Sequence, residues 1–411
     1  MENKFDVIIA GAGPAGTATA IVLGKAGLSV ALLDKATFPR DKTCGDALSV
    51  DVINQLKVLT PSVFDNFQDL SPKTSSYGVQ IFAPDGRHVD IPFIYKKEKR
   101  CGYICTRWNF DNFLVQQLRE FSSVKFYQNC EVTGIQKDQN KIQLNTTHGY
   151  FSAPIVVGAD GAHSVIAKRL MNAKPDKEHS SAGLRVYYEG VTGFHQENFI
   201  ELHFFEEVLP GYLWIFPLPD GKANVGIGML SSTVSKKKIN LKDSLNKLLT
   251  THPKFSERFK NAKPLETIKG YGLPLGSKKR PLSGDRFLLT GDAASLIDPF
   301  SGEGIANAIR SGRIAANHIL ECFQKNDFTK SFNERYDKEI YNRLWKELKL
   351  SRTLQQLCKY PSLFNFVVKK ANQSKQVHQL LIDSLAHIDK KKSLVHPAFY
   401  YRLLFGRNSQ H

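Results

Sequence analysis

Long apolar runs are missing from this chain of 411 residues. No stretch approaches the ~18 consecutive apolar residues that a transmembrane helix needs, so none is expected. A strand pattern begins within a few residues of Met1, which leaves no room for a signal peptide. Cysteine is scarce, with six residues at 44, 101, 105, 130, 322 and 358. None forms a Cys-x-x-Cys pair, and the spacing of Cys101 and Cys105 is wrong for that redox motif. The pattern fits a reducing cytoplasm, with most thiols acting as small apolar fillers. No metal site is expected. Acid is also short, with 39 Asp and Glu against 56 Lys and Arg, a net charge of +17. Ser351 to His411 hold ten Lys and Arg against two Asp, so part of the excess gathers at the C-terminal end. Such a bias suits a lipid surface, a phosphorylated substrate or nucleic acid, or is simply a solvated basic face. No nucleic-acid recognition motif accompanies it, so nucleic acid is not an expected partner.

What the chain does have begins at Val7. The stretch Val7-Ile8-Ile9-Ala10 leads into Gly11-Ala12-Gly13-Pro14-Ala15-Gly16. Thr17 to Ala26 then reads as a helix closed by Gly27, and Leu28 to Leu33 as a second strand ending at Asp34. This is a βαβ unit with a Gly-x-Gly-x-x-Gly turn. Gly11 permits the sharp turn, Gly13 lets backbone approach a pyrophosphate, and Gly16 lets helix and strand pack closely. The helix N-terminus offers free N–H groups and the positive end of its dipole to phosphates. Asp34 is placed to accept from a ribose hydroxyl, and the whole points to dinucleotide binding.

Further along, Ala47 to Leu59 and Thr106 to Phe121 read as helices. Tyr77 to Phe82 and Arg87 to Ile91 read as a hairpin about Pro84-Asp85-Gly86. Val124 to Tyr127, Glu131 to Gln136 and Lys141 to Asn145 read as a hairpin or meander, and Ile155 to Val157 as a buried strand. Strand patterns dominate from Ala182 to Met229. Helical patterns follow at Leu241 to Leu249 and Pro253 to Phe259. Phe287 to Thr290 is a further buried strand, before a long helix from Gly304 to Phe323. The rest is mainly helical to about Leu385 and ends in a basic, aromatic segment, Lys390 to Arg402. Nucleotide signals at both ends of a β-rich insert imply one cofactor domain made of separated segments. No second Gly-x-Gly-x-x-Gly follows a strand, so a dedicated nicotinamide domain is not expected.

Two later motifs carry a resemblance. Val157-Gly158-Ala159-Asp160-Gly161 and the segment to Arg169 resemble the "DG" fingerprint of group A flavoprotein hydroxylases. Arg286 to Ala294, with Gly291-Asp292, resembles the "GD" motif of the same superfamily. The resemblance implies FAD, with Asp292 on its ribityl chain and the loop Pro299-Phe300-Ser301-Gly302-Glu303-Gly304 against the pyrimidine side of the flavin. The helix entered at Gly304 and Ile305 directs its N-terminus at the region where charge develops on reduction. Arg107 matches an arginine that contacts FAD in these proteins. Lys35, Arg40, Cys44 and Gly45 join the implied cofactor set.

Two stretches narrow the resemblance to the geranylgeranyl reductase family. Pro39 to Asp46 is similar to its Lys-x-Cys-Gly loop, and Pro210 to Pro217 to its Tyr-x-Trp-x-Phe-Pro motif. One departure stands out: archaeal-type members usually carry a second glycine after Cys-Gly, and Asp46 stands there. The implied fold is α/β, with a Rossmann-like FAD-binding domain of the glutathione reductase and p-hydroxybenzoate hydroxylase type. An antiparallel β-sheet substrate domain is inserted, and the C-terminal region is helical. The expected division gives residues 1–75, 101–175 and 275–325 to the FAD domain. Residues 76–100 and 176–274 go to the substrate domain, and 326–411 to the basic helical region.

The implied activity is saturation of C=C bonds in a prenyl chain, on a lipid, a prenyl diphosphate or a prenylquinone. Tyr212, Trp214 and Phe216 alternate onto one strand face and, with Pro217, form an aromatic wall for an apolar substrate. Leu213 and Ile215 face the core. Cys44 and Tyr212 are the candidate proton donors, Cys44 either reactive or a loop filler. His163 reads as a cap of the following helix rather than a base. NAD(P)H or ferredoxin is the external electron donor, the latter a redox partner protein. The location is cytoplasmic, with the C-terminal segment resting peripherally on the inner membrane face. The alternative is an FAD-dependent monooxygenase or halogenase acting on an aromatic or other apolar molecule. Halogenases carry Trp-x-Trp-x-Ile-Pro, and Tyr212 and Phe216 move this chain away from that pattern.

Overall fold

The computed structural model describes residues 2–379 except residue 96. Two sheets organise it. The first is built by β1 (Val7–Ala10), β2 (Val30–Leu33), β5 (Val124–Tyr127), β6 (Ile155–Gly158) and β12 (Phe287–Leu289). Its order is β5-β2-β1-β6-β12, all parallel, with a short antiparallel strand, Ser283–Gly284, at the edge. β1, β2, β6 and β12 are buried throughout, as a sheet covered on both faces requires. Helix α1 (Pro14–Lys25) follows β1, and Pro14 opens it without removing a needed N–H. Val124–Tyr127 therefore extends the nucleotide sheet. The expected meander excludes it and gains Gly149–Ala153, a strand that the sequence reading left out.

The second sheet is larger. β7 (Ser180–Glu189), β8 (Ile200–His203), β9 (Tyr212–Pro217), β10 (Lys222–Leu230) and β11 (Lys269–Pro274) join β3 (Gly78–Phe82) and β4 (His88–Pro92). The order is β7-β10-β9-β8-β3-β4, with β11 on the other side of β7. The β3–β4 hairpin was expected, but its partnership is not antiparallel throughout. β8 and β3 pair in parallel, with Ile200 opposite Val79. On β9 the alternation holds. Leu213 and Ile215 enter a core with Leu245 and Leu248 of α5 (Leu241–Thr251), while Tyr212 and Trp214 face the other way.

One helix was drawn too long. Ala47–Leu48 is a strand paired with Tyr103 and Ile104, and α2 (Val50–Leu59) begins after Ser49, whose Oγ accepts from Val52 N. The cause is Asp46, whose φ of +66° breaks the chain direction before any helix can start. Thr106 caps α3 (Arg107–Gln116), and a short 3₁₀ turn completes the predicted span. α6 (Ile305–Lys325), α7 (Lys330–Leu357) and α8 (Pro361–Gln373) account for the helical C-terminal part within the described residues. The segment Lys390 to Arg402 lies outside them. No described helix is long and apolar enough to cross a membrane.

The cofactor side is held by close packing of α1 on α6. Thr19 Oγ1 donates to Gly312 O at 3.1 Å, and a Cβ at Gly312 would fall 2.2 Å from Ala15 O. Gly312→Ala must push the two helices apart. It is expected to cost about 2–3 kcal/mol, read as a lower urea midpoint. An unchanged midpoint would show that the crossing is not tight.

Candidate active site

The ends of β1, β2 and β6 and the turn after β12 open into a cavity of about 500 Å³. It runs from Asp34 and Lys35, past the glycine-rich turn, to Trp214 and Tyr271 on the second sheet. The near end is built largely of backbone. Gly11 has φ +100°, and a Cβ there would meet Ala159 O at 2.3 Å. A side chain at Gly13 would stand in the cavity beside Arg40. Asp34 Oδ2 accepts from Ala12 N at 2.8 Å and Oδ1 from Ala36 N at 2.9 Å, which fixes the carboxylate on the wall. Asp160 Oδ2 accepts from Val165 N, the first residue of α4 (Val165–Met171), at 2.7 Å, while buried Oδ1 has no protein partner. Burial raises the Asp160 carboxyl above its usual range, against the opposing N–H groups. An open glycine cradle, a helix N-terminus and a carboxylate at the ribose position fit a dinucleotide such as FAD.

Two predicted cofactor residues stay outside the cavity. Gly16 serves packing, since a Cβ there would lie 1.8 Å from Gly11 O. Pro299 offers its carbonyl to Gln355 Nε2 at 2.6 Å. The others named from the sequence all line it. His163 lines it too, with its ring edge against Tyr271, and the cap of α4 is Ser164, through Ala167 N. The hydroxyl succeeds as a cap because it sits at the residue just before the helix.

The loop Phe38–Asp46 crosses between the two sheets, and its charged side chains alternate in their attachments. Arg40 Nη1 donates to Asp111 Oδ2 at 2.8 Å. Arg107 grips the same carboxylate with Nε and Nη2, each at 2.7 Å. Burial works against the Asp111 charge, but the two guanidiniums hold its carboxyl below the usual range. Lys42 Nζ reaches Asp292 Oδ2 at 3.3 Å and lies over the Tyr271 ring. Asp41 turns the other way, accepting from Arg185 Nη2 at 2.8 and 2.9 Å and from Lys269 Nζ at 2.8 Å. Arg185 is fully buried and also pairs with Glu266. Cys44 Sγ lies against the Arg107 guanidinium and faces the cavity. The six cysteines are free thiols.

The aromatic strand divides its roles. Trp214 lines the cavity and lies across Gly226, where a Cβ would stand 2.1 Å from its ring. Phe216 packs against Gly45, and Phe216 and Leu218 form a small core with Ile104. Tyr212 donates its hydroxyl to Ser301 O, and burial, with Asp298 nearby, raises its phenol further above the ordinary range. Of the predicted wall, Trp214 alone reaches the cavity, and Pro217 stays buried with Phe216. Sequence reasoning missed Asp41, Lys42, Arg185, Tyr187 and Asn224. Asn224 did leave a trace, as a lone amide in the apolar run Ala223 to Met229.

A model of an FAD binding domain matches residues 4–185, and a geranylgeranyl reductase catalytic domain matches residues 182–271. The chain therefore carries an FAD-binding domain followed directly by a geranylgeranyl reductase catalytic domain. It is an FAD-dependent oxidoreductase. A digeranylgeranylglycerophospholipid reductase of Thermoplasma acidophilum is 26% identical over 83% of this chain and 84% of that protein. A menaquinone reductase of Mycobacterium tuberculosis is 27% identical over 77% of this chain and 76% of that protein. Among solved structures, a geranylgeranyl bacteriochlorophyll reductase-like protein of Thermoplasma acidophilum has a TM-score of 0.80 at 21% identity, covering 98% of this chain and 99% of its own. The halogenase PltM with FAD and phloroglucinol has a TM-score of 0.74 at 18% identity, covering 97% of this chain and 90% of its own. These two likenesses concern the fold.

Glu303, in the flavoprotein loop before α6, adds a pH dependence. Its carboxyl meets the Ser49 hydroxyl. Burial first, then Asp51, Asp298 and Glu347, push it up to about 7 from 4.5, against the Ser49 hydrogen bond. The folded protein then holds this proton more tightly than the unfolded chain. The group's stabilising contribution is complete below about pH 4.5 and is lost as pH rises through 7. Glu303→Gln removes that slope. Urea unfolding at pH 5 and pH 8 is expected to favour the variant, relative to wild type, at the higher pH. An equal difference at both values would refute the shift.

Proposed function

We propose that this flavoprotein saturates C=C bonds of a prenyl chain carried on a lipid, a prenyl diphosphate or a prenylquinone. The observation that carries this reading is that Cys44 and Trp214, joined through Asn224, both line the cavity where the cofactor cradle meets the second sheet. Behind the cavity Trp214 packs against the small core of Ile104, Phe216 and Leu218, which backs the indole with apolar side chains. Such a wall meets a hydrocarbon by burial and excludes water from it. The named activities of the two curated relatives support the same substrate class.

FAD, when bound, supplies the hydride for an alkene carbon. The chain's own residues position the alkene and deliver the proton. Cys44 Sγ is the proposed donor, because its thiol faces the cavity. The Arg107 guanidinium adjoins that sulfur. Tyr212 is the weaker donor, its hydroxyl being committed to the Ser301 carbonyl. It anchors the loop that carries Gly302 and Glu303. Electrons come from NAD(P)H or from a ferredoxin. The site of action is cytoplasmic, at the inner membrane face.

The decisive experiment is anaerobic. Flavin reduced by dithionite is expected to reoxidise on adding geranylgeranyl diphosphate or a prenylated quinone extract, with product mass rising by two hydrogens per step. Reoxidation only after oxygen is admitted, with one oxygen atom inserted, would move the chain to the monooxygenases. Within the reductase reading, Cys44→Ala is expected to keep FAD and lose about a hundredfold in turnover, and Tyr212→Phe to lose far less. Equal turnover in Cys44→Ala and wild type would remove the thiol from the reaction. The basic C-terminal segment is proposed to hold the enzyme on anionic lipid. Sedimentation with anionic liposomes should then fall as salt rises, and binding indifferent to salt would exclude that contact.

A further inference from the structure

Asp46 is completely buried, one residue past the Cys44–Gly45 turn. Every group around its carboxylate is a donor. Oδ2 accepts from Tyr187 Oη at 2.6 Å and from Asn224 Nδ2 at 2.8 Å, and Oδ1 accepts from Arg107 N at 3.2 Å. Asn224 spends its other contacts on the reaction wall. Its Nδ2 also donates to Cys44 O at 2.8 Å, and its Oδ1 accepts from the Trp214 indole at 2.9 Å. One carboxylate therefore reaches both residues proposed to meet the substrate. The neutral acid finds no acceptor while these donors keep their orientation. A protonated Asp46 must turn the Tyr187 hydroxyl to accept its proton or displace a donor, and with the charge gone the bond to Asn224 weakens.

We propose that Asp46 is a positioning residue whose negative charge holds Asn224, the Trp214 indole and the Cys44 segment in one reactive arrangement. The charged and titratable groups facing it are Tyr187 and Arg185 from β7, Arg107 from α3, and the Cys105 thiol before it. Arg185 lies over the Tyr187 ring at 4.0 Å and lends its charge to the pair. Burial is the largest influence on Asp46, and Tyr187, Arg185, Asn224 and Arg107 offset it in part, leaving the carboxyl at about 6. The arrangement is thus complete above that pH and comes apart below it.

The test uses the full-length, FAD-bound protein labelled at its three tryptophan indoles. Trp214→Phe assigns the signal. The Trp214 indole N–H resonance is expected to shift between pH 5 and 8 with a midpoint near 6, and to stay still in Asp46→Asn. Asp46→Gly is the second variant, because the φ of +66° suits glycine and spares the backbone. It too should give a resonance that does not titrate. A wild-type signal that does not move, or one that titrates equally in both variants, overturns the proposal. A kinetic arm rests on the prenyl-reductase reading. There kcat/KM should fall about tenfold below the midpoint in wild type and sit at the low level at every pH in Asp46→Asn. Titration of the indole without turnover of any prenyl substrate would sink that reading and leave the positioning role standing.

Discussion

The site depends on one loop being tied at both ends to the same strand. Asp41 is held by Arg185 and Asp46 by Tyr187, and these two residues of β7 share a face because side chains alternate along a strand. On either side of the first tie, Arg40 and Lys42 reach back to Asp111 and Asp292 on the cofactor side. The loop is therefore a strap across the junction of two sheets, and Cys44 lies between its two ties. Each tie removes water from charged groups, which is favourable only because partners replace the lost hydration. Losing one partner leaves a buried charge uncompensated, so the strap should fail as a unit.

The same logic sorts the aromatic strand. An indole lying flat over Gly226, with its N–H spent on Asn224, is a wall in a fixed place. Tyr212 fastens the flavoprotein loop through Ser301 and leaves the reacting region to others. The three rings share a strand face, yet they answer to three different neighbours. Position in the strand set the face, and the partners across the junction set the role.

Much of the cofactor cradle was legible because its signals are local. A glycine turn, the helix after it and an acid at the next strand end lie within residues 7–34, and their geometry follows from short-range sterics. The strap was not legible. Arg185 and Asp41 are 144 residues apart, and Asn224 and Asp46 are 178 apart, so no spacing announces either pair. Asp46 was visible only as a departure from an expected glycine. The helix drawn through Ala47 failed for the same reason, since nothing short-range declares a left-handed aspartate. The strand Val124–Tyr127 was placed with its sequence neighbours, and the parallel sheet claimed it instead.

The parallel pairing of β8 with β3 bears on how the chain assembles. Ile200 must find Val79 across more than a hundred residues of chain, while the β3–β4 hairpin needs only a short turn. During synthesis the hairpin emerges first and presents an open edge until β8 arrives. High contact order of this kind slows folding and lengthens the time in which that edge can recruit a neighbouring chain. A chain stopped before residue 200 would retain the complete glycine turn and still lack the strand that closes this edge. For this molecule, solubility of fragments and yield on refolding are thus governed by a junction remote from the chemistry.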